Sequence, residues 1–134
     1  MNVQRVAAVG SIAAVTLAVV AGLFVAGSPA EQRLLRLDDR RVTDLRQLSS
    51  AAQFRWDQNE TLPDDAAELV DGRYLSRLPM DPAGQSYEYR VTGPRAFEVC
   101  AVFDRPSRPE LAGDFWSHEA GHQCFAFDVT ETRP

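Results

Sequence analysis

Residues Val6 to Ala26 read VAAVGSIAAVTLAVVAGLFVA, 21 residues without a single charge. At 1.5 Å per residue such a helix is about 30 Å long, the thickness of the hydrocarbon core of a bilayer. Its most polar members are Ser11 and Thr16, whose hydroxyls can hydrogen-bond back to the helix backbone. A cleaved signal peptide is the competing reading, because Ser28-Pro29-Ala30 puts small residues at a suitable spacing. Signal peptides, however, carry apolar regions of only about 7–15 residues. The run is therefore expected to be a retained anchor. Residues 1–27 would be a short tail and a transmembrane helix in contact with lipid, and residues 28–134 a separate domain.

That remainder holds all 19 acidic residues and 13 of the 14 arginines, with no lysine, so its formal charge is −6. A nucleic-acid binder would show a basic face, and no cluster of that kind is present, so nucleic acid is not an expected partner. An Arg-rich, Lys-free and Ala-rich composition fits a GC-rich bacterial genome. About 105 residues suffice for one domain with a modest core. The two cysteines, Cys100 and Cys124, both lie beyond the apolar run. An even count in an exported domain suggests one disulfide, closing a loop of about 25 residues and worth roughly 3 kcal/mol. Two buried free thiols in a cytosolic domain are the alternative.

Ser28-Pro29-Ala30-Glu31 is a helix-start signal: a capping Ser, Pro at the first helical position and an acid at the third. A second helix is expected from here to about Asn59. Leu34, Leu35, Val42, Leu45, Leu48, Ala52 and Trp56 recur at spacings of three and four, the stripe of an amphipathic helix facing a core. Arg36, Arg40, Arg41 and Asp44 read as charges on its solvated face. Thr61-Leu62-Pro63 breaks the helix, Asp64 to Asp71 can form a short one, and Gly72 is a natural stop. Tyr87 to Val91 and Phe97 to Phe103 alternate as strands around the turn Thr92-Gly93-Pro94-Arg95. After a long Pro/Gly-containing connection, Cys124 to Val129 is a third strand. The expected class is α+β, with a transmembrane helix, then a long amphipathic helix covering one face of a small antiparallel sheet of about three strands.

This order, with Leu78 to Tyr89 (LPMDPAGQSYEY), resembles the pseudopilins of type II secretion systems. The resemblance covers roughly residues 41 to 103. It implies a long N-terminal helix embedded in the membrane over its first half, and a turn leading into a strand with paired tyrosines. Here Asp81 and Pro82 set up the turn, Gly84 supplies a left-handed position, and Tyr87 and Tyr89 share a strand face. One departure bears on function. The family's processing site is Gly followed by Phe or Met, with a Glu five residues into the mature helix. In this chain Gly10 is followed by Ser11, and no acid precedes Glu31. Prepilin-peptidase processing and filament assembly therefore do not carry over. The chain looks more like bacterial single-pass membrane proteins with a pseudopilin-like outer domain.

Orientation is contested by two signals. Only Arg5 and the α-amine precede the apolar run, whereas Arg33, Arg36, Arg40 and Arg41 follow it, which by charge count would place the C-terminal side in the cytoplasm. The very short N-terminal tail, the cysteine pair and the resemblance favour the opposite. The expectation is a bacterial inner-membrane protein with a periplasmic C-terminal domain.

His118-Glu119-Ala120-Gly121-His122 matches H-E-x-x-H. On a helix, His at i and i+4 share a face and can hold one zinc, with the Glu as general base. The context opposes this: Gly121 interrupts the segment, a strand-like run starts two residues after His122, and only 12 residues remain to supply a third ligand. A non-catalytic metal site using His118, His122 and Cys124 would compete with the disulfide. The preferred reading packs Phe115, Trp116 and Phe125 on the sheet and leaves both histidines on a loop surface. Asp81, Asp104 and Asp114 could meet around calcium, but solvated turn residues are the simpler reading. No catalytic residue and no cofactor is expected. The function expected is that of a non-enzymatic bitopic membrane protein whose exported domain acts through an envelope protein partner. The alternatives are a membrane-anchored zinc hydrolase and a minor pseudopilin.

Overall fold

A computed structural model describes residues 2–26 and 28–131. It divides into two compact units, Met1–Arg33 and Leu34–Pro134. Gly27, at the expected junction, lies outside the described residues. In the first unit, α1 spans Val3–Ala26. It is the one helix among the described residues that is long and apolar enough to cross a membrane. The Ser11 and Thr16 hydroxyls donate to the carbonyls of Ala7 and Ile12, 2.9 and 2.8 Å away. The helix thus absorbs its own side-chain polarity. α2 spans Pro29–Asn59, and Ser28 Oγ accepts from the Glu31 amide at 3.2 Å, as its sequence signal requires.

In the second unit the expected α+β architecture is present. Strands β1 (Glu88–Gly93), β2 (Ala96–Phe103) and β3 (Gly121–Asp128) form an antiparallel meander in that order. Strand alternation divides the residues of β2. Phe97, Val99, Ala101 and Phe103 face the core, while Glu98 and Val102 point away. Leu45, Leu48, Ala51 and Ala52 of α2 join Tyr89, Phe97, Val99, Phe103, Phe125 and Trp116 in one buried cluster. Fully burying a Leu or Phe contributes about 1.5–3 kcal/mol, so each large side chain of this helix-on-sheet cluster stabilises the unit.

Between α2 and β1 the chain makes only a single turn of 3₁₀ helix, Ala66–Leu69, capped by Asp65. Gly72 follows at φ 73°, and Gly84 stands at φ 85° in the Asp81 turn. That turn is closed by Asp81 and Gln85 (3.0 Å) and by Gly84 to Asp81 (2.7 Å). A second short 3₁₀ turn, Pro109–Leu111, lies in the connection from β2 to β3.

Candidate functional site

The H-E-x-x-H match is not helical. Ala120 is a bend, Gly121 opens β3 at φ 103°, and His122 lies within the strand. The two histidines part company because the chain bends at Ala120 and Gly121, before β3 is under way. His118 is buried and stacks on the core-facing Phe103, with ring centroids 3.6 Å apart. Its backbone is pinned to Ser107: the His118 amide donates to Ser107 Oγ (2.9 Å), and the Ser107 amide donates to the His118 carbonyl (2.8 Å). His122 instead pairs with Val102, on the outer face of the sheet. Either a continuous helix or a continuous strand would put both rings on one side. The chain instead bends at Ala120 and takes a positive φ at Gly121, so His118 lies outside β3 and His122 within it. The expectation that both lie on a loop surface is therefore corrected: one is a core residue and the other a strand residue. Glu119 is exposed.

Cys100 and Cys124 are directly paired across β2 and β3 and joined by a disulfide. Around it, on the sheet's outer face, stand Glu88 and Arg90 of β1, Glu98 of β2 and His122 of β3. His122 Nε2 lies 3.0 Å from Glu88 Oε1. Arg90 Nη2 lies 2.9 Å from Glu98 Oε1, and 3.9 and 3.8 Å from the sulfurs of Cys100 and Cys124.

The expected solvated face of α2 is wrong at Arg41, which is only 4 % exposed. Its Nε and Nη2 form a fork on Asp81, at 2.5 and 3.3 Å, and Nη1 donates to Asp38 and Asp104, each at 2.6 Å. Asp38 in turn accepts from the amides of Asp104 and Arg105, at 3.0 and 2.9 Å. Burial alone would lower the Arg41 pKa. The hydrogen bonds that Arg41 donates to Asp81, Asp104 and Asp38 outweigh burial and raise it above the ordinary arginine value. For Asp81, burial pushes the carboxyl pKa up, but the hydrogen bonds from Arg41 and the Ala83 amide prevail and hold it below the usual range. Two of the three proposed calcium acids thus do meet, around a guanidinium. Asp114 goes elsewhere and accepts from the Trp116 amide at 2.9 Å.

The sequence did carry a signal for this cluster. Asp38, Arg41, Leu45, Leu48 and Ala52 follow one another at steps of three, four, three and four, so the two charges continue the apolar stripe. Asp44, on a neighbouring row, accepts from the Tyr87 hydroxyl at 2.8 Å. Burial and that contact raise the Tyr87 pKa.

A cleft of about 790 Å³ is open and lies between α2 and the chain around Trp116. Phe54 and Tyr74 stack along it at 5.4 Å, and Arg46 sits over the Trp116 ring at 5.5 Å. Phe115 and Trp116 pack on Phe125, as expected. The cleft's titratable residues are Arg46, Asp57, Tyr74, Asp114 and Glu131. Comparison with protein-family models, with characterised proteins and with solved structures finds no match to this chain.

Proposed function

We propose that the chain is a non-enzymatic, single-pass protein of a bacterial inner membrane, whose C-terminal domain works by contact with another envelope protein. The observation that carries this reading is α1. Every one of its described side chains is exposed, among them Ile12, Val15, Leu17 and Leu23, each at 60 % or more. A face this apolar on all sides has no place in water, and a bilayer is the solvent that suits it. The disulfide supports a periplasmic orientation, since such bonds persist in oxidising compartments. The order of long helix and antiparallel meander, with the Asp81 turn between them, favours a pseudopilin-like outer domain. The zinc-hydrolase alternative needs His118 and His122 on one side of the chain, and they are on two.

Expression of the full chain in a bacterium tests this. It should stay in the membrane pellet after alkaline carbonate washing, and its C-terminal domain should be digested by protease added to spheroplasts. Release by carbonate, or protection of the domain, refutes the reading. So does zinc-dependent hydrolysis lost in His122→Ala.

A further inference from the structure

The outer face of the sheet carries a set of donors that the disulfide holds in its oxidised state. Cys100, His122 and Cys124 present two sulfurs and an imidazole nitrogen, all within 4.8 Å of one another. The orientation of His122 is specific. A carboxylate can only accept, so Nε2 must be the protonated nitrogen that donates to Glu88 at 3.0 Å. In the neutral ring this leaves the lone pair on Nδ1, and Nδ1 is the atom turned to Cys124 Sγ, 4.0 Å away. A carboxylate that fixes the tautomer from behind is the usual support of a metal-binding histidine.

We infer that reduction of the Cys100–Cys124 disulfide converts this face into a binding site for a zinc-class divalent cation, with Cys100, Cys124 and His122 as ligands and Glu88 as the positioning residue. The step balances with an external dithiol as reductant. Two electrons and two protons pass from the dithiol, which closes to its own disulfide, and the sulfur–sulfur bond of the protein becomes two thiols. The cation then displaces the two thiol protons to solvent and forms two metal–sulfur bonds and one metal–nitrogen bond. Thiolate and imidazole donors select zinc and its neighbours over magnesium or calcium.

The dimensions are compatible. Two thiolates on one tetrahedral zinc stand about 3.8 Å apart, and a thiolate and an imidazole nitrogen about 3.6 Å. Directly paired cysteines with Cα atoms 4.1 Å apart reach that separation by side-chain rotation, with the strands unmoved. Arg90, within 4 Å of both sulfurs, favours the thiolate form. Glu98 and Glu88 balance its charge. Three protein ligands leave the fourth position to water. The proposal is independent of the membrane reading above.

The test uses the full chain in detergent micelles and cobalt(II) alone as probe. Protein reduced by excess dithiol and desalted under nitrogen should bind one equivalent of cobalt. The complex should show the ultraviolet thiolate-to-cobalt band and the visible bands of a tetrahedral site, and zinc should displace the metal. Untreated, disulfide-bonded protein should show neither band. Glu88→Gln should weaken binding by about 10–100-fold, and His122→Ala by more than that. Near-ultraviolet circular dichroism of the reduced protein should retain the aromatic signals of the folded sheet. The inference is overturned by any of three results: no thiolate band in the reduced protein, equal affinity in His122→Ala and wild type, or loss of the aromatic signals on reduction.

Discussion

At the scale of single residues, Arg41 bears the heaviest load. It neutralises one of three surrounding carboxylates and gives hydrogen bonds to all three. Arg41→Ala should lower the unfolding free energy by about 3–5 kcal/mol, because Asp38 and Asp81 would remain buried without a partner. Urea unfolding of the full chain in micelles, followed by tryptophan fluorescence, measures this. Asp81 adds a pH dependence. Its folded pKa lies below the ordinary aspartate value, so its contribution is complete above about pH 4 and is lost as the pH falls through the folded value. Stability should drop in that acid window, and Asp81→Asn should be less stable at neutral pH but show a flatter acid limb. Tyr89 is the opposite case. Burial first, then Asp64 and Glu68, push its pKa up to about 12, and its hydroxyl meets no hydrogen-bond partner among the described residues. Tyr89→Phe should therefore be neutral or stabilising by up to about 1 kcal/mol in the same unfolding assay. Reading charge as exposure is what hid Arg41 in the sequence. The spacing of Asp38 and Arg41 was visible, but the carboxylates at positions 81 and 104 arrive from distant segments.

At the scale of elements, α2, the three strands and the turns at Gly72 and Gly84 were legible because each rests on local chemistry: a cap, an alternation, a left-handed glycine. The start of β3 was not. It begins at Gly121, three residues before the expected Cys124, because His122 and Gln123 complete the pairing with Val102 and Ala101. The end of β2 at Phe103 was legible, but how far β3 runs back along it depends on pairing that no local pattern states. The same shift decides the fate of the H-E-x-x-H match, whose meaning changes once its last residues join a strand. The disulfide closes a 24-residue separation between β2 and β3. Its reduction should cost about 3 kcal/mol on the chain-entropy account, read as a lower urea midpoint with and without dithiothreitol in the absence of metal.

At the scale of the whole molecule, the acids are confined to one side of Gly27, and the apolar helix α1, Val3–Ala26, lies on the other. What the folded unit touches was not legible, because an open cleft of aromatic and charged residues fixes no single partner chemistry. Leu17, 73 % exposed in α1, gives a test of the anchor. An arginine at the centre of a spanning helix costs about 2.5–3.5 kcal/mol of insertion, so Leu17→Arg should reduce the carbonate-resistant fraction of the protein. The four charged side chains at positions 38, 41, 81 and 104 carry one more consequence, for how distant segments are held together. In the folded chain the guanidinium exchanges its hydration for carboxylates brought by the turn at Asp81 and by the end of β2. If the end of β2 were displaced along α2, the amides of Asp104 and Arg105 would leave Asp38, and that buried carboxylate would keep only Arg41 among these donors. The cluster thus ties three segments that are distant in the sequence, α2, the Asp81 turn and the end of β2, to one guanidinium.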